Sequence, residues 1–194
     1  MTARMKLAPD DQMTIEEFLA FTDTRPDNEK WELIDGAPLL NASPGRLHQT
    51  ILWNLAFLIG TIQRQGQRSW EASPGIGVRV SDISLPEPDI FIVPEGSARR
   101  DPYGRETSDV IVAFEILSPS TEERDLRWKR AAYISLPSLT HYVVIAQDVV
   151  DIVVFAREAE FTERHLRSLD DSLHLSALGI SLPLGEIYRD TGLR

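Results

Sequence analysis

The chain has 194 residues, 42% hydrophobic and 26% charged, and contains no cysteine. That composition matches an ordinary folded domain with a real core, and it excludes wholesale disorder, a disulfide framework, a thiolate metal site and a cysteine nucleophile. Its net charge of −10 argues against a passive nucleic-acid binder, but not against an enzyme whose metal site is itself made of carboxylates.

Residues 1–12 carry no periodic apolar pattern and are expected to be flexible, with no apolar segment of the kind that opens a secretory signal. No apolar run approaches the roughly 18 residues of a spanning helix, so the expected location is cytoplasmic, away from the membrane. Thr14-Ile-Glu-Glu17 reads as a capping box opening a short helix through Phe18 and Leu19. Trp31 to Ile34 reads as a strand, Asp35-Gly36 as a tight hairpin turn, and Leu39 and Leu40 as the return. Ser43-Pro44 then predicts a helix start, and Leu47, Ile51, Leu55, Ile59 and Ile62 recur at helical spacing to about Gln65. Strand-like runs follow at 76–80, 89–93, 110–117, 142–146 and 152–156. A helix with a second capping box, Ser120-Thr-Glu-Glu123, runs to about Ile134, and a short last helix is expected at 185–188. No repeat or linker divides the chain, so 13–194 is expected to form one mixed α/β domain, a central sheet flanked by helices behind an N-terminal helix and β-hairpin.

Two of these strands carry chemistry. Val110 to Leu117 is apolar on both alternating faces except for Glu115, and a lone carboxylate there costs several kcal/mol unless a cation, donors or a metal compensates it. Asp89 stands at the mouth of another apolar strand, directly after Pro88. The residues alone leave two readings open. Asp89 is a turn residue and Glu115 an ion-pair partner of an arginine, or the two together form a hard-cation site.

Beyond Glu115 the chain reads Ile-Leu-Ser-Pro-Ser-Thr121, followed by Asp125, Lys129 and Tyr133. With Trp31-Glu-Leu-Ile-Asp-Gly36, His48, Pro88-Asp89 and Leu178-Gly-Ile-Ser-Leu182, this pattern resembles the Uma-two family of restriction endonucleases, a branch of the PD-(D/E)XK nuclease superfamily. The resemblance covers nearly the whole chain. It implies a restriction-endonuclease-like fold with four or five strands and helices on both sides. It also implies Mg²⁺ or Mn²⁺ held by Asp89, Glu115 and the carbonyl of Ile116, with Glu32 as a third acidic residue near the metal. The superfamily's lysine would stand where this chain has Leu117. There are three lysines: Lys6 in the expected flexible end, Lys30 ahead of the hairpin and not expected near the site, and Lys129 on the helix after Glu115. Lys129 is therefore expected to take the catalytic role, the alternative being an i,i+4 pair with Asp125 on an exposed helix. For Glu32 the alternative is a solvated strand face. His48 matches the family's histidine but has no metal-ligand partner at suitable spacing.

The expected function is a metal-dependent endonuclease hydrolysing DNA phosphodiesters with a metal-activated water. Cutting both strands with one site per chain suggests a homodimer. The alternative is a non-catalytic nuclease-like domain that binds DNA or a protein partner.

Overall fold

The structure, a computed structural model, describes residues 11–66, 69–97, 104–118 and 123–194. Residues 1–10 of the segment 1–12 expected to be flexible, and Ser120, Thr121 and Glu122 of the second capping box, lie outside the described residues.

Helix α1 (Ile15–Thr22) begins as its capping box dictates: the Thr14 hydroxyl accepts the Glu17 N–H, and the Glu17 carboxylate accepts the Thr14 N–H. Strands β1 (Lys30–Ile34) and β2 (Ala37–Asn41) form an antiparallel hairpin closed between Ile34 and Ala37. Both turn residues have positive φ, 49° at Asp35 and 79° at Gly36, the conformation whose twist matches the strands it joins. Helix α2 (Arg46–Arg64) buries Ile51, Leu55 and Ile59 on one stripe. It starts later than the Ser43-Pro44 signal predicts, because the chain stays extended through Gly45, its N-cap, and this lead-in walls the cleft described below.

Six strands form the main sheet: β3 (Trp70–Pro74), β5 (Ile90–Pro94), β7 (Val112–Ile116), β8 (His141–Ile145), β9 (Ile152–Ala156) and β10 (Glu163–Leu166). Their order is β10-β9-β8-β7-β5-β3, with β7 and β8 parallel and every other pair antiparallel. The sheet exceeds the expected four or five strands by its edges. Both β3 and β10 are rich in polar residues, Trp-Glu-Ala-Ser-Pro and Glu-Arg-His-Leu, as suits strands that border solvent, and they show little of the apolar run of a central strand. Of the predicted strand at 76–80, β4 (Gly77–Val78) forms, paired in parallel with β6 (Glu106–Thr107). A C-terminal hairpin, β11 (Ser172–Leu175) and β12 (Ile180–Pro183), leads into α4 (Leu184–Ile187).

The parallel β7–β8 step requires a crossover, supplied by α3, a composite helix of π-helical turns (Arg124–Lys129) continuing as α-helix (Arg130–Ile134). The two-residue alternation of β7 then sorts the core. Val112, Phe114 and Ile116 pack with the α2 stripe, whereas Ala113 packs on the other face with Tyr133 of α3 and with Tyr142 and Phe155. Glu115 shares that second face. A smaller cluster of Ile15, Phe18, Leu33 and Leu85 fastens α1 and the hairpin. Among the described residues no helix is long and apolar enough to cross a membrane.

At Gly36 a Cβ would lie 2.5 Å from Gln12 Cβ as well as in the left-handed region. Gly36→Ala is therefore expected to cost roughly 1–3 kcal/mol, read as a lower urea midpoint with unchanged slope.

Candidate functional site

Strands β5 and β7 run antiparallel with Ile90 opposite Phe114, and the Asp89 N–H donates to the Phe114 carbonyl at 3.0 Å. The paired register ends at Ile90 and Phe114, and this bond turns Asp89 toward Phe114 instead of continuing the ladder to Glu115. Asp89 Oδ2 also accepts the Ile116 N–H at 2.8 Å. Both carboxylates line one cleft of about 270 Å³, walled also by β1 and by the lead-in to α2.

Helix α3 supplies the counter-charge. The π-helical turns bury Asp125 and Lys129, which is only 2% exposed. The Lys129 Nζ lies 2.8 Å from Glu115 Oε1, 2.8 Å from Glu32 Oε1 and 3.6 Å from Asp125 Oδ1. It donates as well to the Glu87 carbonyl at 3.3 Å, and the Tyr133 hydroxyl donates to Glu115 Oε1 at 3.2 Å. Lys129 is thus no exposed helix pair, and Glu32, with 0% exposure, is no solvated strand residue. Arg124 reaches Glu32 Oε2 at 3.2 Å, and the Glu87 N–H donates to Glu32 Oε1 at 2.8 Å.

The two buried glutamates diverge in acidity for clear reasons. Burial pushes the Glu32 carboxyl up, but Lys129 and Arg124 outweigh it and hold the group at about 2. For Glu115, burial acts first, Lys129 opposes it, and the charges of Asp125, Asp89 and Glu32 add to it, so its carboxyl is pushed well above the ordinary range. Burial would lower Lys129, yet Glu115, Glu32 and Asp125 lift it above its usual value. Burial likewise raises Asp89, and the hydrogen bond and charge of His48, with Lys30 and the Ile116 N–H, bring it below the usual carboxylate range.

Among the described residues, five carboxyl groups (Glu32, Glu87, Asp89, Glu115, Asp125) and three cations (Lys30, Arg124, Lys129) line the cleft, so carboxyl groups outnumber cations by two. Oxygen donors with that surplus suit a hard divalent cation. Among the described residues no group of three or more His, Cys, Asp or Glu is arranged to hold a metal, so an all-protein cage is not what the cleft offers. Mg²⁺ asks for less: one or two carboxylates, with waters and substrate phosphate completing its shell. Asp89, Glu115 and the Ile116 carbonyl fit that requirement.

Two further residues reach the site, His48 and Lys30. His48 Nε2 lies 3.3 Å from Asp89 Oδ2, a partner that helix spacing could not reveal. Lys30 Nζ lies 3.3 Å from Glu87 Oε1 and 4.0 Å from Asp89 Oδ1, although it had been set aside as remote. A signal for it existed: Lys30 and Glu32 are two apart on one strand and so share a face.

A family model described as "Uma2: Putative restriction endonuclease" matches residues 15–185. The chain belongs to the Uma2 family. An uncharacterized protein of Synechocystis sp. is 26% identical to this Uma2 protein, over 97% of this chain and 98% of its own length. The crystal structure of a "putative nuclease belonging to DUF820" from Anabaena variabilis superposes with a TM-score of 0.71 at 16% identity, over 91% of this chain and 97% of that one. That likeness fixes the fold, a mixed sheet flanked by helices.

Removing Lys129 from this Uma2 site strands Glu32, Glu115 and Asp125 in the interior. Lys129→Met should therefore cost about 3–5 kcal/mol by urea denaturation, and adding Glu32→Gln should recover part of the loss. Glu32 also has a pH signature. Its folded value of about 2 lies below the ordinary 4.5, so its contribution is complete above the ordinary value and lost as pH falls through about 2. Glu32→Gln should flatten that acid limb of the stability profile.

Proposed function

We propose that this Uma2 protein is a divalent-metal-dependent endonuclease that hydrolyses DNA phosphodiester bonds. The observation that carries the reading is one cleft lined by both Asp89 and Glu115, with the Asp89 carboxylate on the Ile116 N–H and Lys129 buried against Glu115. Asp89, Glu115 and the Ile116 carbonyl would hold Mg²⁺ or Mn²⁺. When bound, such an ion lowers the pKa of a water ligand and offsets charge on the scissile phosphate.

The chain's own groups do the positioning. Lys129 fixes Glu115 and Glu32 by direct ion pairs and supplies the counter-charge that the superfamily places on the strand, where this chain has Leu117. Glu32 holds Lys129 and Arg124 in place, and the Ile116 N–H and His48 set the angle of Asp89. One site per chain cuts one strand, so double-strand cleavage would call for two copies.

A second reading, a non-catalytic nuclease-like domain that binds DNA or a protein, draws on Leu117 and the net charge of −10. A nicking assay on supercoiled plasmid separates the two. The nuclease should relax the plasmid with Mg²⁺ or Mn²⁺ and not with chelator, and Asp89→Ala and Glu115→Ala should each abolish cleavage while remaining folded. Lys129→Arg, with a wider planar head, should be impaired. A wild-type protein inert with both metals favours the second reading.

A further inference from the structure

A lysine ammonium has three donors. Those of Lys129 face Glu115 Oε1 at 2.8 Å, Glu32 Oε1 at 2.8 Å and the Glu87 carbonyl at 3.3 Å. A phosphate oxygen arriving at Lys129 would have to displace one of these acceptors, in a position sealed from solvent. The cation that balances the buried carboxylates is therefore poorly placed to meet a substrate.

Lys30 is placed differently. Its side chain is 40% exposed, and among the described residues its ion-pair contacts are Glu87 Oε1 at 3.3 Å and Asp89 Oδ1 at 4.0 Å. Its ammonium has donor capacity left over and stands beside a carboxylate proposed to hold the metal. The strand that buries Glu32 against Lys129 also fixes the backbone of Lys30.

Lys30 also borders a second, larger cleft. This cleft of about 610 Å³ shares the Lys30 and Glu87 walls with the carboxylate cleft and continues past Trp31 and Asn28. Trp31 is braced there: Phe21 meets it edge-on at 5.1 Å between ring centroids, and its Nε1–H donates to Glu29 at 2.8 Å. A rigid aromatic ring and exposed polar groups beside a cation suit a base and sugar next to a phosphate.

We propose that Lys30 is a substrate-contacting catalytic residue that binds the scissile phosphate, and that the adjoining cleft along Trp31 and Asn28 takes the nucleotide on one side of it. This rests on the nuclease reading above. As the phosphate approaches Asp89 and Glu115, the Lys30 ammonium offsets the repulsion. It then stabilises the charge that builds on the non-bridging oxygens, a preorganised contribution of the kind whose loss slows an enzyme about a hundredfold.

The test pairs plasmid cleavage in Mn²⁺ with binding of a labelled DNA duplex in Ca²⁺ over a salt series. Lys30→Ala should cleave about a hundredfold more slowly. Its slope of log affinity against log salt should be shallower by about 0.9, the loss of one phosphate contact, with the melting temperature unchanged. A merely structural lysine would not alter that slope. Lys30→Arg should restore the slope, and Asn28→Trp, on an exposed loop, should weaken duplex binding several-fold by filling the cleft. Wild-type rate and slope in Lys30→Ala would overturn the assignment of Lys30 and leave the nuclease reading standing. Undiminished binding by Asn28→Trp would overturn the nucleotide cleft. A wild-type protein that neither cleaves plasmid nor binds the duplex would overturn the nuclease reading and this inference together.

Discussion

One buried ammonium holds the centre of this molecule together. Lys129 sits within 2.8 Å of both Glu32 and Glu115, all three nearly or wholly hidden from solvent. Each carboxylate alone would be a costly charge in a low-dielectric interior, and the lysine alone would be no better. Together they join three elements distant in sequence: the hairpin strand β1, the central strand β7 and the crossover helix α3. The N-terminal hairpin is fastened to the sheet by this charge contact as well as by its own small apolar cluster.

The arrangement is not the one that stability alone would favour. Packed hydrophobic residues of similar volume could fill such a position at no loss, and often with a gain. Instead the cleft gathers more carboxyl groups than cations, and burial, with the charges of Asp125, Asp89 and Glu32, pushes Glu115 toward its protonated form. Around Asp89, the Ile116 N–H and His48 both hold one oxygen, Oδ2.

Much of this was legible in the residues. Glu115 stood out because it interrupts an otherwise apolar strand, and the hairpin turn was written in Asp35-Gly36. The α1 cap was equally plain, since Thr14 and Glu17 carry both halves of its hydrogen bonding. What stayed hidden was either polar or distant. Edge strands β3 and β10 lack the apolar run of a core strand. Lys30 and His48 reach the site only through the tertiary placement of β1 and α2, and no local period announces a partner such as Asp89. The burial of Glu32 was ambiguous for the same reason, because a charged residue alternating with Leu33 reads as a solvent-facing position until α3 covers it.

The claim at the centre is that Asp89 and Glu115 share one divalent cation, and titration calorimetry with Mn²⁺ addresses it without requiring turnover. The account predicts saturable binding of one ion per chain in the wild-type protein and its loss when Asp89 and Glu115 are both replaced by Ala. Binding that survives the double replacement, or its absence from the folded wild-type protein, would contradict it.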